Sequence, residues 1–182
     1  MATTAQPAQI VIESGPDLIV VGVLLLSVFV ALFSIATQRI IAKKRAAYDY
    51  MVRVKGDINY AKDQAVFNDL KDNDQLETII NAKTEQSKNQ KQAVRNYLNY
   101  FELLCVSIEM HIVDENVCKA QLGDILVKRW EDVEILVSKI RKQNDDSEIL
   151  EYFEKVATRW KDNPRVVKEN IFLRVFRELF TF

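Results

Sequence analysis

Residues 18–38 read LIVVGVLLLSVFVALFSIATQ, an uncharged run of 21 residues. At about 1.5 Å per helical residue this run reaches roughly 30 Å, which matches the hydrocarbon core of a bilayer. Ser14-Gly15-Pro16-Asp17 precedes it and has the form of a capping box that starts a helix. The sequence therefore predicts a transmembrane helix over residues 14–41, after a disordered extracytoplasmic tail over residues 1–13.

The charges that flank this run predict its orientation. Lys and Arg are missing from the 17 residues before it, whereas Arg39, Lys43, Lys44 and Arg45 follow it directly. A cleaved signal peptide would instead have a basic start and a shorter apolar core. Because positive residues beside a span favour the cytoplasmic side, we expect a single-pass protein of the bacterial inner membrane with its N-terminus outside. The four cations are also candidates for contact with anionic lipid at the membrane surface.

Apolar residues continue beyond the run with helical spacing. Ala47, Met51, Val54, Ile58 and Ala61 are separated by alternating steps of four and three residues. This spacing predicts a juxtamembrane stalk helix over residues 42–65. One interpretation is that the stripe packs against the protein's own domain. The other is a self-association seam that continues a contact between spans.

The rest of the chain has the pattern of a helical bundle. Apolar stripes with helical periodicity run through residues 94–112, 122–140 and 149–160, and the first two are joined by a short turn at which Asp114 is a good N-cap. Only four Gly and three Pro occur in 182 residues, which argues against a fold with many turns. The predicted fold class is all-α: one N-terminal transmembrane helix that continues into the stalk, then a cytosolic bundle of about five helices over residues 66–163.

The C-terminal residues 164–182 predict a separate amphipathic helix. Pro164 stands at its expected first position, and the helix carries four phenylalanines, Phe172, Phe176, Phe180 and Phe182, with basic residues between them. Such a helix can close its own bundle, lie on a membrane or dock in the groove of a partner. We take the aromatic row as a candidate interaction surface.

Several short motifs resemble a known family. They are NYLNYFE at residues 96–102, Trp130, Arg141, YFE at residues 152–154 and RW at residues 159–160. Together they are similar to a bacterial and phage family known as domain-of-unknown-function family 4760, over roughly residues 45–161. The resemblance implies a small protein with one N-terminal span and a helical cytosolic domain, and it carries no known activity.

Residue counts weigh against most enzymatic and metal sites. The net charge of −1 argues against nucleic-acid binding, and the single histidine, His111, excludes a di-iron bundle site. Cys105 and Cys118 lie in apolar patterns, so we expect them to be reduced and buried rather than zinc ligands. Glu102 and Glu109 are the best candidates for paired catalytic carboxylates, but pairing with Arg or Lys from a neighbouring helix is the favoured interpretation. We therefore expect no cofactor and no enzymatic activity.

The function that these patterns favour is that of a membrane-anchored accessory or scaffolding subunit. It would act through contacts with other membrane-associated proteins, with itself and with membrane lipid. A different possibility is an oligomerising membrane effector or phage-exclusion and defence protein, which the phage link of the resembling family suggests. A membrane-tethered hydrolase that uses His111, Glu102 and Glu109 is the least favoured alternative.

Overall fold

The computed structural model describes residues 15–166 and 170–180 of the 182-residue chain. Within these residues every regular element is a helix, which confirms the all-α fold class. In chain order the elements are α1 Gly15–Gly56, α2 Ile58–Asp72, a 3₁₀ helix Leu76–Asn81, α3 Glu85–Glu109, α4 Glu115–Asn144, α5 Glu151–Asp162 and α6 Ile171–Phe180. The expected tail over residues 1–13 lies outside the described residues.

Helix α1 contains the predicted span. Among the described residues it is the one helix long and apolar enough to cross a membrane. Every side chain from Leu18 to Ile35 is exposed to the surroundings of the protein. Because these side chains are almost all apolar and no protein covers them, water is a poor environment for this part of α1.

The stalk is not one continuous helix. α1 ends at Gly56, and Asp57 adopts an extended backbone with φ −82° and ψ 115°. Its carboxylate accepts the N–H groups of Asn59 at 2.7 Å and of Tyr60 at 3.4 Å, so that Asp57 caps the start of α2. The predicted stalk 42–65 is therefore divided: residues 42–56 continue α1, and residues 58–65 belong to α2.

The chain divides into two compact units. Of the described residues, the first unit contains residues 15–39 and helix α6, and the second contains residues 40–166 and 170. In the second unit α3 packs against α2 and α5, and α4 packs against α5. The largest wholly buried side chains of this unit come from four helices: Phe67, Leu70, Tyr97, Leu104, Ile108, Leu126, Val133, Phe153 and Trp160.

Most residues of the predicted apolar stripes form this core or pack against it. Tyr97, Leu104 and Cys105 of α3 are buried, as are Leu126 and the other central stripe residues of α4. Ile112, by contrast, is 58 % exposed. The reason is that α3 ends at Glu109, so Ile112 lies beyond the helix that the spacing assumed.

The C-terminal helix is shorter than predicted. It begins at Ile171, whereas residues 164–166 are exposed and not helical, so the expected start at Pro164 is wrong. Proline disfavours helical geometry in the residue before it, and Asn163 indeed leaves the helix as the C-cap of α5 with φ −127° and ψ 73°. No buried side chain in residues 161–166 holds the chain in a new helix at that point.

Candidate functional site

Glu102 of α3 caps the start of α5. Its carboxylate accepts the N–H of Phe153 at 2.8 Å and the N–H of Tyr152 at 3.3 Å. These bonds replace a side-chain cap, because the residue at the N-cap position is Leu150, which has none to offer. Burial raises the pKa of Glu102, and the two N–H donors partly oppose that rise. The residue thus serves the fold by joining α3 to α5.

Arg159 of α5 is the centre of an ion-pair network. Its guanidinium lies 2.5 Å from a Glu109 oxygen and 2.9 Å from a Glu115 oxygen. Lys155 also contacts Glu109 at 2.5 Å, and the indole N–H of Trp160 donates to Glu115 at 2.8 Å. Burial works against ionisation of Glu109, but the hydrogen bonds from Lys155 and Arg159 outweigh it and lower the pKa of this carboxyl. The network ties α3, α4 and α5 together.

The favoured interpretation of the two carboxylates is confirmed for Glu109, which pairs with cations of a neighbouring helix. Glu102 differs, because it binds backbone N–H groups rather than a cation. Arg141, another residue of the resembling motifs, donates to the Ile149 carbonyl at 2.9 Å and to Glu154 at 2.6 Å. Glu102, Arg141 and Arg159 are therefore occupied in holding α5 to the bundle.

The aromatic motif residues have the same role. The rings of Phe101 and Phe153 stack at 5.2 Å, and Trp130 meets Phe153 edge-on at 5.3 Å. Tyr97 meets Phe101 edge-on at 5.3 Å. Such ring pairs add to the free energy gained by burial. These motif rings therefore pack α3, α4 and α5 against one another.

The histidine and the cysteines do not form a reactive group. His111 is exposed just after α3, where its φ of 54° marks the left-handed turn that ends the helix. Cys105 and Cys118 are free and buried, as the sequence predicts. Burial raises the pKa of the Cys118 thiol to about 12, and it also raises the pKa of Cys105, so both thiols stay protonated at neutral pH. Within residues 15–166 and 170–180, no group of three or more His, Cys, Asp or Glu side chains is placed to hold a metal ion.

The second unit contains a cavity of about 240 Å³. Its walls come from the end of α1, the start of α2, the middle of α3 and the first half of α4. Most of the lining is apolar or aromatic, with the following side chains: Tyr50, Met51, Val54, Lys55, Tyr60, Gln64, Tyr100, Phe101, Leu104, Leu122 and Ile125.

Three tyrosines form one wall of this cavity. The Tyr50 hydroxyl donates to the Tyr100 carbonyl, and the Tyr100 hydroxyl donates to Asp57 at 3.1 Å. The Tyr60 ring meets the Tyr100 ring edge-on at 5.0 Å. Burial raises the pKa of Tyr60, so this wall is uncharged at neutral pH. The hydrogen bonds also connect the break between α1 and α2 to α3.

The first unit presents apolar surface of a different kind. On α6, Phe172, Phe176 and Phe180 are 63–70 % exposed, whereas Val175 is buried. The rings of Phe176 and Phe180 contact each other at 4.7 Å. The predicted aromatic row is thus exposed, and the row that contains Val175 faces the protein. Phe182, the last predicted member, lies outside the described residues.

The predicted stalk stripe does not form one seam. Ala47 and Met51 lie in the core of the second unit, so at these positions the stripe packs against its own domain. Val54 lines the cavity, while Ile58 is 71 % exposed and Ala61 is also exposed. The change of face follows from the break at Asp57, because residues on either side of it no longer share one helix.

The predicted membrane-surface cations lie on α1 in two environments. Arg39, Lys44 and Arg45 are exposed, and Lys43 is half-buried. The Lys43 carbonyl accepts the N–H of Asp114 at 3.2 Å, and the side chain of Asp114 also accepts the N–H of Val117, which confirms it as the N-cap of α4. Lys43 therefore joins α1 to the start of α4 through its backbone.

Sequence reasoning missed two features. Glu115 bonds both Arg159 and Trp160, although its position in the first turn of α4 suggests only a favourable dipole interaction. The tyrosine wall was also missed, because Tyr50, Tyr60 and Tyr100 belong to none of the apolar stripes. Only their side-chain contacts reveal them.

The family model described as Domain of unknown function (DUF4760) matches residues 21–160. This confirms the resemblance drawn from the motifs and extends it from residue 45 back into the apolar run. Searches of curated proteins and of solved structures find no match.

Proposed function

Because the chain belongs to the family described as Domain of unknown function (DUF4760), whose name carries no activity, we propose from its architecture that it is a membrane-anchored helical scaffold. In this proposal the first part of α1 crosses the membrane. The helical domain then acts as an accessory subunit through contacts with other membrane-associated proteins. The observation that carries the proposal is the exposed apolar surface from Leu18 to Ile35.

The use of the polar side chains supports a scaffold rather than an enzyme. The ion-pair network around Arg159 joins helices of the second unit to one another, so its side chains already have partners within the protein. Glu102, the other candidate for acid–base work, is engaged by two backbone N–H groups. The thiol that interacts with both carboxylates, Cys105, is buried, and burial raises its pKa.

The charge pattern supports the proposed orientation. Arg39, Lys44 and Arg45 are exposed at the end of the apolar stretch, and the residues before it have no Lys or Arg. By the positive-inside rule the domain would lie in the cytoplasm of a bacterium, with the protein in its inner membrane. The same cations would contact anionic headgroups.

Helix α6 would add a second contact with the membrane. It shares a compact unit with the apolar part of α1, and Phe172, Leu173, Phe176 and Phe180 are 63–72 % exposed. Arg174 and Arg177 accompany this row. An amphipathic helix with an aromatic face and basic flanks is typical of a helix that lies in the headgroup region of a bilayer.

Purification of the native protein in mild detergent tests the scaffold proposal. We expect a stable complex in which unrelated subunits occur in fixed ratio to this chain, measured by intact mass and by identification of each chain. A protein that purifies only as a homo-oligomer would contradict the scaffold and would favour the oligomerising effector. A monomer would contradict both.

A fluorescent label tests the membrane contact of α6. Since Cys105 and Cys118 are buried and have raised pKa values, a Phe176→Cys variant can be labelled selectively with an environment-sensitive dye. In nanodiscs with doxyl-labelled lipid we expect strong quenching at this position. A Ser147→Cys variant is the control, because Ser147 is exposed on the loop between α4 and α5. Equal quenching at both positions would contradict the contact.

A further inference from the structure

The cavity beside the break between α1 and α2 has the properties of a ligand site. It lies between four helices of the second unit, opens at a rim where Lys55 and Ile125 are exposed, and has a volume of about 240 Å³. A cavity of roughly 150 Å³ lined by apolar side chains is large enough to hold benzene. The present cavity therefore has room for one aromatic ring with a short chain attached.

The interior of the cavity suits an apolar body rather than water. Three of its lining residues, Met51, Phe101 and Leu104, are buried and apolar. The hydroxyl groups of Tyr50 and Tyr100 already donate to a carbonyl and to a carboxylate within the protein. A buried water needs two to four polar partners, and the polar side chains of this lining other than the tyrosines are Gln64 and Lys55.

The rim of the cavity carries a positive charge without a partner. Lys55 is exposed at the rim, and among the described residues it makes no ion pair or hydrogen bond. The nearby carboxylate of Asp57 is engaged by the N–H groups of Asn59 and Tyr60 and by the Tyr100 hydroxyl. Asp57 is thus committed to the helix break, and the Lys55 ammonium remains available to an anion.

From this combination we propose that the cavity binds a small amphipathic monoanion, a carboxylate with one aromatic ring on a short chain. Its ring would lie against Phe101 and Leu104, and its carboxylate would pair with Lys55. Such a ligand would contact α1, α2, α3 and α4 together. This site goes beyond the scaffold function, since it would let a soluble metabolite bind next to the end of α1.

The binding test uses the full chain in nanodiscs and a fluorinated probe, 4-(4-fluorophenyl)butanoate, observed by ¹⁹F NMR. The matched alcohol, 4-(4-fluorophenyl)butan-1-ol, has the same ring and chain without the charge. Empty nanodiscs measure partition into lipid. We expect saturable binding of the carboxylate above that background and at least tenfold weaker binding of the alcohol, since one charge-assisted contact contributes on the order of a factor of ten.

Three variants localise the binding to the cavity. Ile125→Trp should abolish it by filling the rim, whereas Ile135→Trp on the same helix should leave it unchanged, because Ile135 is exposed and does not line the cavity. Lys55→Met should weaken binding of the carboxylate about tenfold and leave that of the alcohol unchanged. Both tryptophan positions are exposed or at the rim, so neither variant should disturb folding. Absence of saturable binding, equal affinity for the two probes or binding that survives Ile125→Trp would each overturn the proposal.

Discussion

Helices α5 and α6 are both short and amphipathic, and both carry phenylalanine, yet their aromatic rings lie in opposite environments. Phe153 of α5 is wholly buried between Phe101 and Trp130. Phe176 of α6 is 63 % exposed, and its ring contact is Phe180 of the same helix. The same residue type on an amphipathic helix therefore belongs to a protein core in one unit and to an open apolar face in the other. The difference shows that an amphipathic pattern predicts which face of a helix avoids water, but it does not predict whether protein or lipid covers that face.

Truncation of one ring in each helix should give the largest contrast. Phe153→Ala removes a ring packed on two others, and we expect the free energy of unfolding to fall by about 3–5 kcal/mol. Phe176→Ala removes an exposed ring, and we expect a change within about 0.5 kcal/mol. Urea unfolding in detergent micelles, followed by the fluorescence of Trp130 and Trp160, measures both. Similar losses for the two variants would mean that the α6 face is covered by protein.

A charge in the apolar part of α1 should have the next largest effect. Leu25 is 67 % exposed, and Ile135 of α4 is 66 % exposed, so the two side chains differ in location rather than in exposure. Leu25→Arg should cost about 2.5–3.5 kcal/mol of insertion free energy if lipid surrounds it. Ile135→Arg should cost almost nothing in water.

Alkaline extraction of membranes that contain each variant measures this difference. We expect more of the Leu25→Arg protein to be released than of the wild type, and no change for Ile135→Arg. Two variants that remain equally bound to the membrane would argue that α1 is held there by something other than its apolar surface.

The sequence predicted the parts of the fold that depend on local periodicity. Val94, Leu98 and Phe101 repeat on one helical face, and all three are buried. It did not predict where α6 begins, because Pro164 is compatible with a helix start but no packing supports one there. Nor did it predict that α1 ends at Gly56. The apolar spacing is the same for one continuous helix and for two helices, and only the structure shows that Asp57 caps a new helix.

The candidate sites were less predictable than the fold. Pairing of Glu109 with a cation of a neighbouring helix could be expected, because the other predicted helices offer several Arg and Lys residues. The role of Glu102 could not, because its partners are backbone N–H groups that any sequence would supply. The cavity depends on Tyr50, Tyr60 and Tyr100, which meet only when α1, α2 and α3 are packed together.

Glu102 and Glu109 should give opposite pH dependences although they share one helix. The pKa of Glu109 is lowered in the fold, so its stabilisation is present above the unfolded value of about 4.3 and is lost as the pH falls through the lower folded value. The pKa of Glu102 is raised, so its ionisation costs stability above its folded pKa, and that cost disappears as the pH falls towards 4.3. Glu109→Gln should also lower stability at pH 7 by about 1–3 kcal/mol, because it breaks a partly buried ion pair.

Unfolding of the two glutamine variants between pH 3 and pH 7 measures this contrast. The gain in stability from pH 3 to pH 7 should be smaller than that of the wild type in Glu109→Gln and larger in Glu102→Gln. Curves for both variants that run parallel to the wild-type curve would show that neither carboxyl has a shifted pKa in the folded protein.

The smallest expected effect compares two glycines within helices. Gly123 of α4 has a half-buried position where an added Cβ would meet Lys119 at an ordinary contact of 3.6 Å, and Gly22 of α1 has nothing within 4 Å. Both sites can thus accept alanine, which gains about 0.5–1 kcal/mol over glycine in a helix by reducing the entropy of the unfolded chain. Gly123→Ala should therefore raise the urea midpoint of the second unit. Gly22→Ala should leave that midpoint unchanged, because a helix surrounded by lipid or detergent keeps its backbone hydrogen bonds when the bundle unfolds. An equal rise for both would mean that α1 around Gly22 unfolds together with the bundle, and the contrast between a unit folded against protein and one folded against lipid would then fail.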